Sequence, residues 1–376
     1  MPEKFLITGL AKPKAQMTER EYLVALSSYL YFGPARIKLL IDYFGSAKSA
    51  YKAEQKSLIS IGLKVERVAD FIRYRNEFEL KSYIDRLKKL KINFLTIKDA
   101  DYPHNLVDLD SAPPVLYIKG NLEPSDSNSV AIVGTRKMTF YGKEVTEKFT
   151  KELSNLGITI VSGLALGVDA CAHKACLDEG GRTIAVLASG LDIITPGSNT
   201  ALAKRIVEGR GALVSEYPLG HPPLRTNFAS RNRIISGLSR AVLVIEGAQQ
   251  SGTLLTASAA AEQGRPVFAV PGQITSPMSA APLFLIESGA KMATNVMDIL
   301  EELNMEFSVN HEMMENIMPQ TKEERSLSTI ITNEPVHLDE IVRISGLNVS
   351  DISARLTIME LKGLVKNLGG GIYKRA

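Results

Sequence analysis

Six short apolar runs between residues 129 and 272 constrain this chain more than anything else in it. They read SVAIVG (129–134), ITIVSG (158–163), RTIAVLASG (182–190), GALVSEY (211–217), RAVLVIEG (240–247) and PVFAVPG (266–272). Each is rich in β-branched residues, apolar throughout, and closed by glycine or a polar residue. Strands buried on both faces of a parallel sheet have this pattern, whereas half-exposed strands alternate. Amphipathic stretches such as YGKEVTEKFTKELSNLG (141–157) lie between the runs. The predicted fold class is therefore α/β, an extended Rossmann-like doubly wound parallel sheet, with its ligand site outside the carboxyl ends of the strands.

The chain has 376 residues, enough for two or three domains. Before the sheet, GPARIKLLIDYFGS (33–46) and SIGLKVERVADFIRYR (60–75) each set a glycine turn ahead of an apolar-periodic helix. That pairing suggests a helical domain over 1–100 resembling helix-hairpin-helix modules, whose turn amides can hold a phosphate. Residues 101–122 read as a Pro-rich bridge into a sheet domain over 101–303. A polar, Met-rich stretch, 304–322, reads as a linker. Three short helical patterns and a Gly-turn hairpin over 323–376 have winged-helix anatomy. The predicted recognition helix, 350–363, mixes Arg355 and Lys362 with Asp351 and Glu360. It is a poor phosphate surface and favours protein contact or packing.

The net charge is only +3, so any nucleic-acid affinity must come from a local patch. The two cysteines, Cys171 and Cys176, are five apart on one predicted helix. That spacing gives neither a metal clamp nor a local disulfide and predicts plain buried thiols. No apolar run approaches the roughly 20 residues needed to span a bilayer. The first residues lack a signal-peptide pattern, which leads us to expect a cytoplasmic protein.

The strand ends carry the chemistry. The first run closes in Gly134-Thr135-Arg136, and the second in Ser162, Gly163, Leu164, Ala165 and Gly167. After the fifth run, Ser251-Gly252-Thr253 opens a helix beyond Glu246. Glycine admits a close backbone approach, and helix amides attract anions, so all three turns suit phosphate. None is a G-x-G-x-x-G fingerprint, and no acidic residue closes the second run, which argues against a dinucleotide. There is no Walker A sequence either. Arg136, Arg225, Arg231 and Arg233 border these turns, with Phe228 and Asn232 among them. The plain reading pairs these arginines with acids on neighbouring loops. The functional reading is a backbone-tracking groove with one stacking platform, suited to single strands. Arg231 and Arg233 flank Asn232 and should point in different directions unless the segment is helical. Asp169 and His173 are four apart on one helix face and read as a structural pair rather than an acid–base couple. Lys174 beside them could reach a phosphate.

Taken in order, VGTR, SGLALGVDACAH, FASRNRII and SGTLLTASAAAEQGRPVFAVPG resemble the DprA (Smf) family, and YPHNLVDLDSAPPVLYIKGNL resembles the segment that leads into its sheet. The N-terminal helices are similar to the family's sterile-alpha-motif-like domain and the C-terminal segment to its winged helix. The resemblance implies a single-stranded DNA-binding protein of natural transformation that helps load the RecA recombinase against single-strand binding protein. It implies a homodimer with no catalytic residue, cofactor or metal. It assigns the DNA pocket to Arg136, Phe228, Arg231, Arg233 and Arg225, with the turn from Ser162 to Gly167 lining it. Two departures stand out. Ala229 follows the aromatic where the family often has proline, and Ala281-Pro282-Leu283 replaces a Gly-(Ser/Thr)-Asn segment. The next helix takes part in family dimerisation, which makes Leu283, Leu285 and Ile286 the candidate dimer contacts. Two other readings compete. One is a nucleotide-binding protein or nucleoside-phosphate hydrolase resembling the lysine-decarboxylase-like type, but Thr256 stands where its P-G-G-x-G-T-x-x-E motif carries the carboxylate. The other is a winged-helix regulator of duplex DNA.

Overall fold

A computed structural model describes residues 17–304, 321–361 and 364–375. The chain divides into two compact units, with the division after residue 305.

The first unit opens with six helices: α1 (Glu19–Ser27), α2 (Pro34–Phe44), α3 (Ala47–Lys52), α4 (Gln55–Ser60), α5 (Val65–Glu77) and α6 (Leu80–Lys89). Thr18 and Glu21 form a reciprocal capping box at the start of α1. A left-handed Gly45 ends α2. Phe71 of α5 and Phe32 pack ring to ring at 4.7 Å in the middle of the bundle.

All six predicted strands are present, as β3 (Ser129–Val133), β4 (Thr159–Ser162), β5 (Thr183–Val186), β6 (Ala212–Ser215), β7 (Ala241–Val244) and β8 (Val267–Ala269). Three further strands extend the sheet: β1 (Asn93–Thr96), β2 (Val115–Gly120) and β9 (Lys291–Met292). The order is β1-β2-β6-β5-β4-β3-β7-β8-β9. Strands β6 to β9 in that order are all parallel, and β1 and β2 join antiparallel at one edge. The direction of winding reverses between β3 and β7, and a reversal of this kind opens a crevice at the carboxyl ends. Helices α8 (Phe140–Asn155), α9 (Val168–Asp178), α10 (Thr200–Glu208), α11 (Arg225–Leu238) and α12 (Thr253–Glu262) connect these strands, with α7 (His104–Val107) before β2 and α13 (Ala280–Glu287) and α14 (Met297–Glu302) after β8.

The doubly wound sheet carries two further strands paired antiparallel at one edge. Residues 101–122 are therefore not merely a bridge: VLYIKG pairs with β6 as β2. The boundary at residue 100 also falls inside the sheet, because β1 precedes it. One hydrophobic core runs from Leu26 and Phe71 of the helices to Tyr117 of β2 and Leu213 of β6. Helices and sheet share that core, which is why they form one unit.

In the second unit, α15 (Lys322–Ile330), α16 (Leu338–Ser345) and α17 (Val349–Leu361) pack around Leu327, Ile341, Ile352 and Leu356. A three-stranded sheet of β10 (Val336–His337), β11 (Val365–Gly369) and β12 (Ile372–Arg375) completes the winged-helix layout. Arg355 of α17 pairs with Glu323 at 3.5 Å, while Val349 and Ile358 stand exposed. Lys362, and nearly all of the segment read as a linker (305–320), lie outside the described residues.

Candidate nucleic-acid interface

Helix α11 organises the site. Its buried residues Asn227, Arg231, Ile234, Ile235 and Leu238 recur at helical spacing, so Arg231 lies on the stripe that faces the sheet. Arg225, Phe228 and Asn232, three and four apart, share a different face. Because the segment is helical, Arg231 and Arg233 point to nearly opposite sides.

Arg231 is only 3% exposed. Its Nη1 donates to the Gly163 carbonyl at 2.7 Å and to the Val186 carbonyl, which ties α11 to the ends of β4 and β5. Burial pulls its pKa down to about 10, and the neighbouring Asp169 carboxylate opposes the shift. The same burial raises the Asp169 carboxyl, against the attraction of Arg231. The guanidinium sits close enough to Gly163 that a Cβ there would meet Nη2 at 2.6 Å. The expectation that Arg231 takes a phosphate is therefore corrected. Its Nη1 and Nε are engaged beneath the surface, and an apolar helix stripe carries it there.

Arg233 is likewise engaged. It pairs with the half-buried Glu216 and donates to the Ser111 carbonyl, fastening α11 to the segment before β2. Asn232 reaches the Gly252 carbonyl at 3.4 Å and links α11 to the start of α12.

Each of the three anion turns is bonded in part from within. Glu246, at the end of β7, accepts from the Thr139 backbone N–H at 3.0 Å and from its hydroxyl at 2.5 Å, at the N-terminus of α8. It sets the protein's own carboxylate beside Gly142 at the start of α8. At the start of α9, the Asp169 carboxylate takes the Ala165 N–H, and the Val168 N–H goes to the Thr135 carbonyl. Gly167 there has φ 77°, and a Cβ would collide with that carbonyl, so only glycine fits. At α12, Ser251 Oγ accepts from the Thr253 N–H and bonds its hydroxyl. Ser162, Gly163, Leu164 and Thr253 are buried, while Ala165 and Gly167 are partly exposed. Within these turns the Thr135, Ala165, Val168 and Thr253 amides are bonded to the protein itself.

What remains at the surface is compact. Arg136 is exposed on the loop after β3, and its guanidinium lies over the Phe228 ring, 5.1 Å from the centroid. Arg225 lies one turn before Phe228 on α11 and is exposed. Among the described residues, no acidic side chain pairs with Arg136 or Arg225. Lys137, which the strand-end motifs do not single out, is exposed beside Arg136. The sequence does carry a signal for this division: read as a helix, FASRNRII puts Arg231 in register with Ile234 and Ile235.

Asp169 and His173 share a face of α9, but each is bonded elsewhere. The His173 Nδ1 lies 2.7 Å from the Thr183 hydroxyl, which itself donates to the Ile160 carbonyl. Burial, helped by the charge of Arg231, drops the His173 pKa to about 3, so the ring is neutral. Cys176 is buried and Cys171 half-buried; both are free thiols pushed up to about 11 by burial. No group of three or more His, Cys, Asp or Glu among the described residues is placed to hold a metal. None of the described helices is long and apolar enough to cross a membrane.

On α13, Leu283, Leu285 and Ile286 are half-buried, and Leu285 packs against the sheet core. Phe284, which the sequence motifs do not single out, is 53% exposed. The Ala281-Pro282 departure is buried, with the Ala281 N–H on the Gly247 carbonyl at 2.8 Å.

Residues 93–304 match the family model described as DNA recombination-mediator protein A, and residues 313–371 match the DprA winged helix domain. The chain is 35% identical to Protein Smf of Synechocystis sp. over 395 aligned residues, covering 95% of this chain and 99% of that one. An X-ray structure of DNA processing protein A from Streptococcus pneumoniae superposes with a TM-score of 0.65 at 34% identity, over 78% of this chain and 99% of that one. A Helicobacter pylori DNA processing protein A structure, described for its single-stranded DNA binding mode, matches with a TM-score of 0.52 at 29% identity, over 58% of this chain and 97% of that one.

Proposed function

The chain belongs to the DNA recombination-mediator protein A (DprA/Smf) family, and from that premise we propose that it is a single-stranded DNA-binding recombination mediator that grips the strand at Arg136, Phe228 and Arg225. One observation carries the reading: an unpaired guanidinium is held against an aromatic ring at the carboxyl edge of the sheet. Stacking on a ring fixes a guanidinium without using its N–H donors, so Arg136 keeps its fork for phosphate while the ring's other face meets a base. Single strands suit this site because their bases are free to stack. Lys137 and Arg225 extend the positive rim, and Arg231, Arg233 and Glu246 hold the pocket in shape from below.

On this reading the protein receives incoming single strands in natural transformation, in the cytoplasm. It loads RecA onto them in competition with single-strand binding protein, and it acts as a homodimer. Phe284 joins Leu283 and Ile286 as the dimer contact, because it is the exposed aromatic of α13. The winged-helix unit meets a protein partner: Arg355 is paired and apolar Val349 and Ile358 face outward. No catalytic step is assigned. A hydrolase of the nucleoside-phosphate type needs a free carboxylate at the strand ends, and Glu246 is committed to capping α8 while Thr256 is buried.

The test is equilibrium binding to fluorescent oligo-dT and to a matched duplex across a salt series, for wild type and an Arg136→Ala/Phe228→Ala variant. Strong preference for the single strand, lost in the variant, is expected. Equal binding by both proteins would remove the strand from this pocket.

A further inference from the structure

The six-helix region carries a second cation–aromatic cluster, built like the one at Phe228. The guanidinium carbons of Arg36 and Arg67 lie 4.3 and 4.5 Å from the centroid of the Tyr31 ring. Arg36 uses one donor on the Tyr31 carbonyl at 3.0 Å, and Arg67 reaches Asp70 only at 3.8 Å, so most of their N–H groups remain available. The platform is rigid: Tyr29 packs edge-on against Phe32 at 4.8 Å, its hydroxyl donates to the Arg67 carbonyl, and Phe32 and Phe71 are buried beneath. Lys64 is exposed at the start of the same helix as Arg67. The surroundings carry the same sign. Residues 17–92 hold fifteen Lys and Arg against nine Asp and Glu, whereas residues 306–376 hold eight against ten.

Chain neighbours of the cluster and of the strand-end site border one cleft. Leu30, next to Tyr31, borders a cleft of about 300 Å³ together with Tyr74, Phe78, Tyr83, His221 and Pro222. Pro222 leads within three residues to Arg225, on the rim of the strand-end site. We infer that the six-helix region is a second contact for the same single strand, which leaves the Arg136–Phe228 site across the aromatic cleft and lays its phosphates on Arg36 and Arg67. Stacked arginines with free forks suit phosphodiesters, and the local excess of positive charge favours a polyanion. This rests on the proposed function, and its test separates the two.

Binding of dT strands of about 8 nucleotides, within one module's usual site size, and of about 40 nucleotides is measured across salt for wild type and Arg36→Ala/Arg67→Ala in the full chain. Affinity for the long strand is expected to fall roughly tenfold, with its log–log salt slope reduced by about 0.7 for each phosphate no longer held, while the short strand binds as before. An Arg36→Lys/Arg67→Lys variant keeps the charge and should recover part of the loss, and thermal unfolding checks that both variants are folded. Unchanged long-strand binding and slope would overturn the inference, and so would an equal loss on both lengths. Arg136→Ala/Phe228→Ala reports on the pocket alone: if it binds the short strand normally, the pocket reading fails whatever the Tyr31 cluster does.

Discussion

The rim of the strand-end pocket and the layer directly beneath it are both built from arginines, and they use them in opposite ways. On the rim, Arg136 lies across Phe228 with no carboxylate partner, and Arg225 extends into solvent. One layer down, Arg231 is closed in by two backbone carbonyls and the Asp169 charge, and Arg233 by Glu216 and a carbonyl. On the proposed function the same residue type binds in one layer and braces in the other, and burial decides which. The difference can be broken by experiment, because the two layers should fail in different assays.

The largest effect is expected from Arg231→Ala. It strips the charge opposite Asp169 and leaves the Gly163 and Val186 carbonyls without that donor. Removing one member of a buried charged network costs about 3–5 kcal/mol. Urea unfolding should show that loss as a lower midpoint, whereas Arg136→Ala should leave the midpoint in place. A mild Arg231→Ala would mean that the lower layer is not a brace. Loss of DNA binding in Arg231→Ala says nothing about contact unless the protein is shown to be folded.

Phe228→Ala should behave in the opposite way. Losing a stacking platform weakens single-strand binding by about 1–3 kcal/mol while the salt slope stays nearly intact. The ring is partly exposed, and its cationic neighbour is solvent-facing, so unfolding should change little. A stability loss with unaltered binding would move Phe228 into the lower layer.

His173 belongs to the lower layer and gives it a pH signature. Its folded pKa of about 3 lies below the ordinary histidine value. The unfolded chain therefore binds a proton that the folded chain refuses. Stability contributed by the neutral ring is full above the unfolded value and is lost as pH falls from there toward 3. Below about pH 6 the slope should approach roughly 1.4 kcal/mol per pH unit. His173→Gln should remove that part of the acid sensitivity. An identical acid slope in the variant would show that His173 is not the group responsible.

The sheet is legible in the sequence because β3 to β8 are doubly buried, and such strands are apolar without interruption. Strands β1 and β2 are hidden there, since they lie toward an edge and follow or precede Pro and charged residues, so their runs look like connecting chain. The site's address is legible for a related reason: strand ends in a wound sheet are where loops converge. Which arginines face out is not. That depends on the phase of α11, and Arg231 is polar enough to conceal its place in an apolar stripe. The glycines of the turns carry a partial signal. Gly134 and Gly167 announce a close approach, which Val168 and the Thr135 carbonyl make, while Gly252 stands in open space.

The smallest and most diagnostic effect is that of Arg136→Ala. With no acid to release and no carbonyl to orphan, the change should leave folding untouched, and its effect on binding should be mainly electrostatic. Each phosphate contact on a single strand contributes about 0.7 to the slope of log affinity against log salt. Removing one therefore flattens the slope by that amount, and the affinity difference shrinks as salt is raised. Phe228→Ala should lower the line without tilting it, so the two variants together separate charge from stacking within a pair whose members touch. If Arg136 also holds the ring in place, the double variant will lose less than the sum of the single losses. If the losses add, the guanidinium and the ring meet different nucleotides, and the bound strand opens the 5.1 Å contact between them.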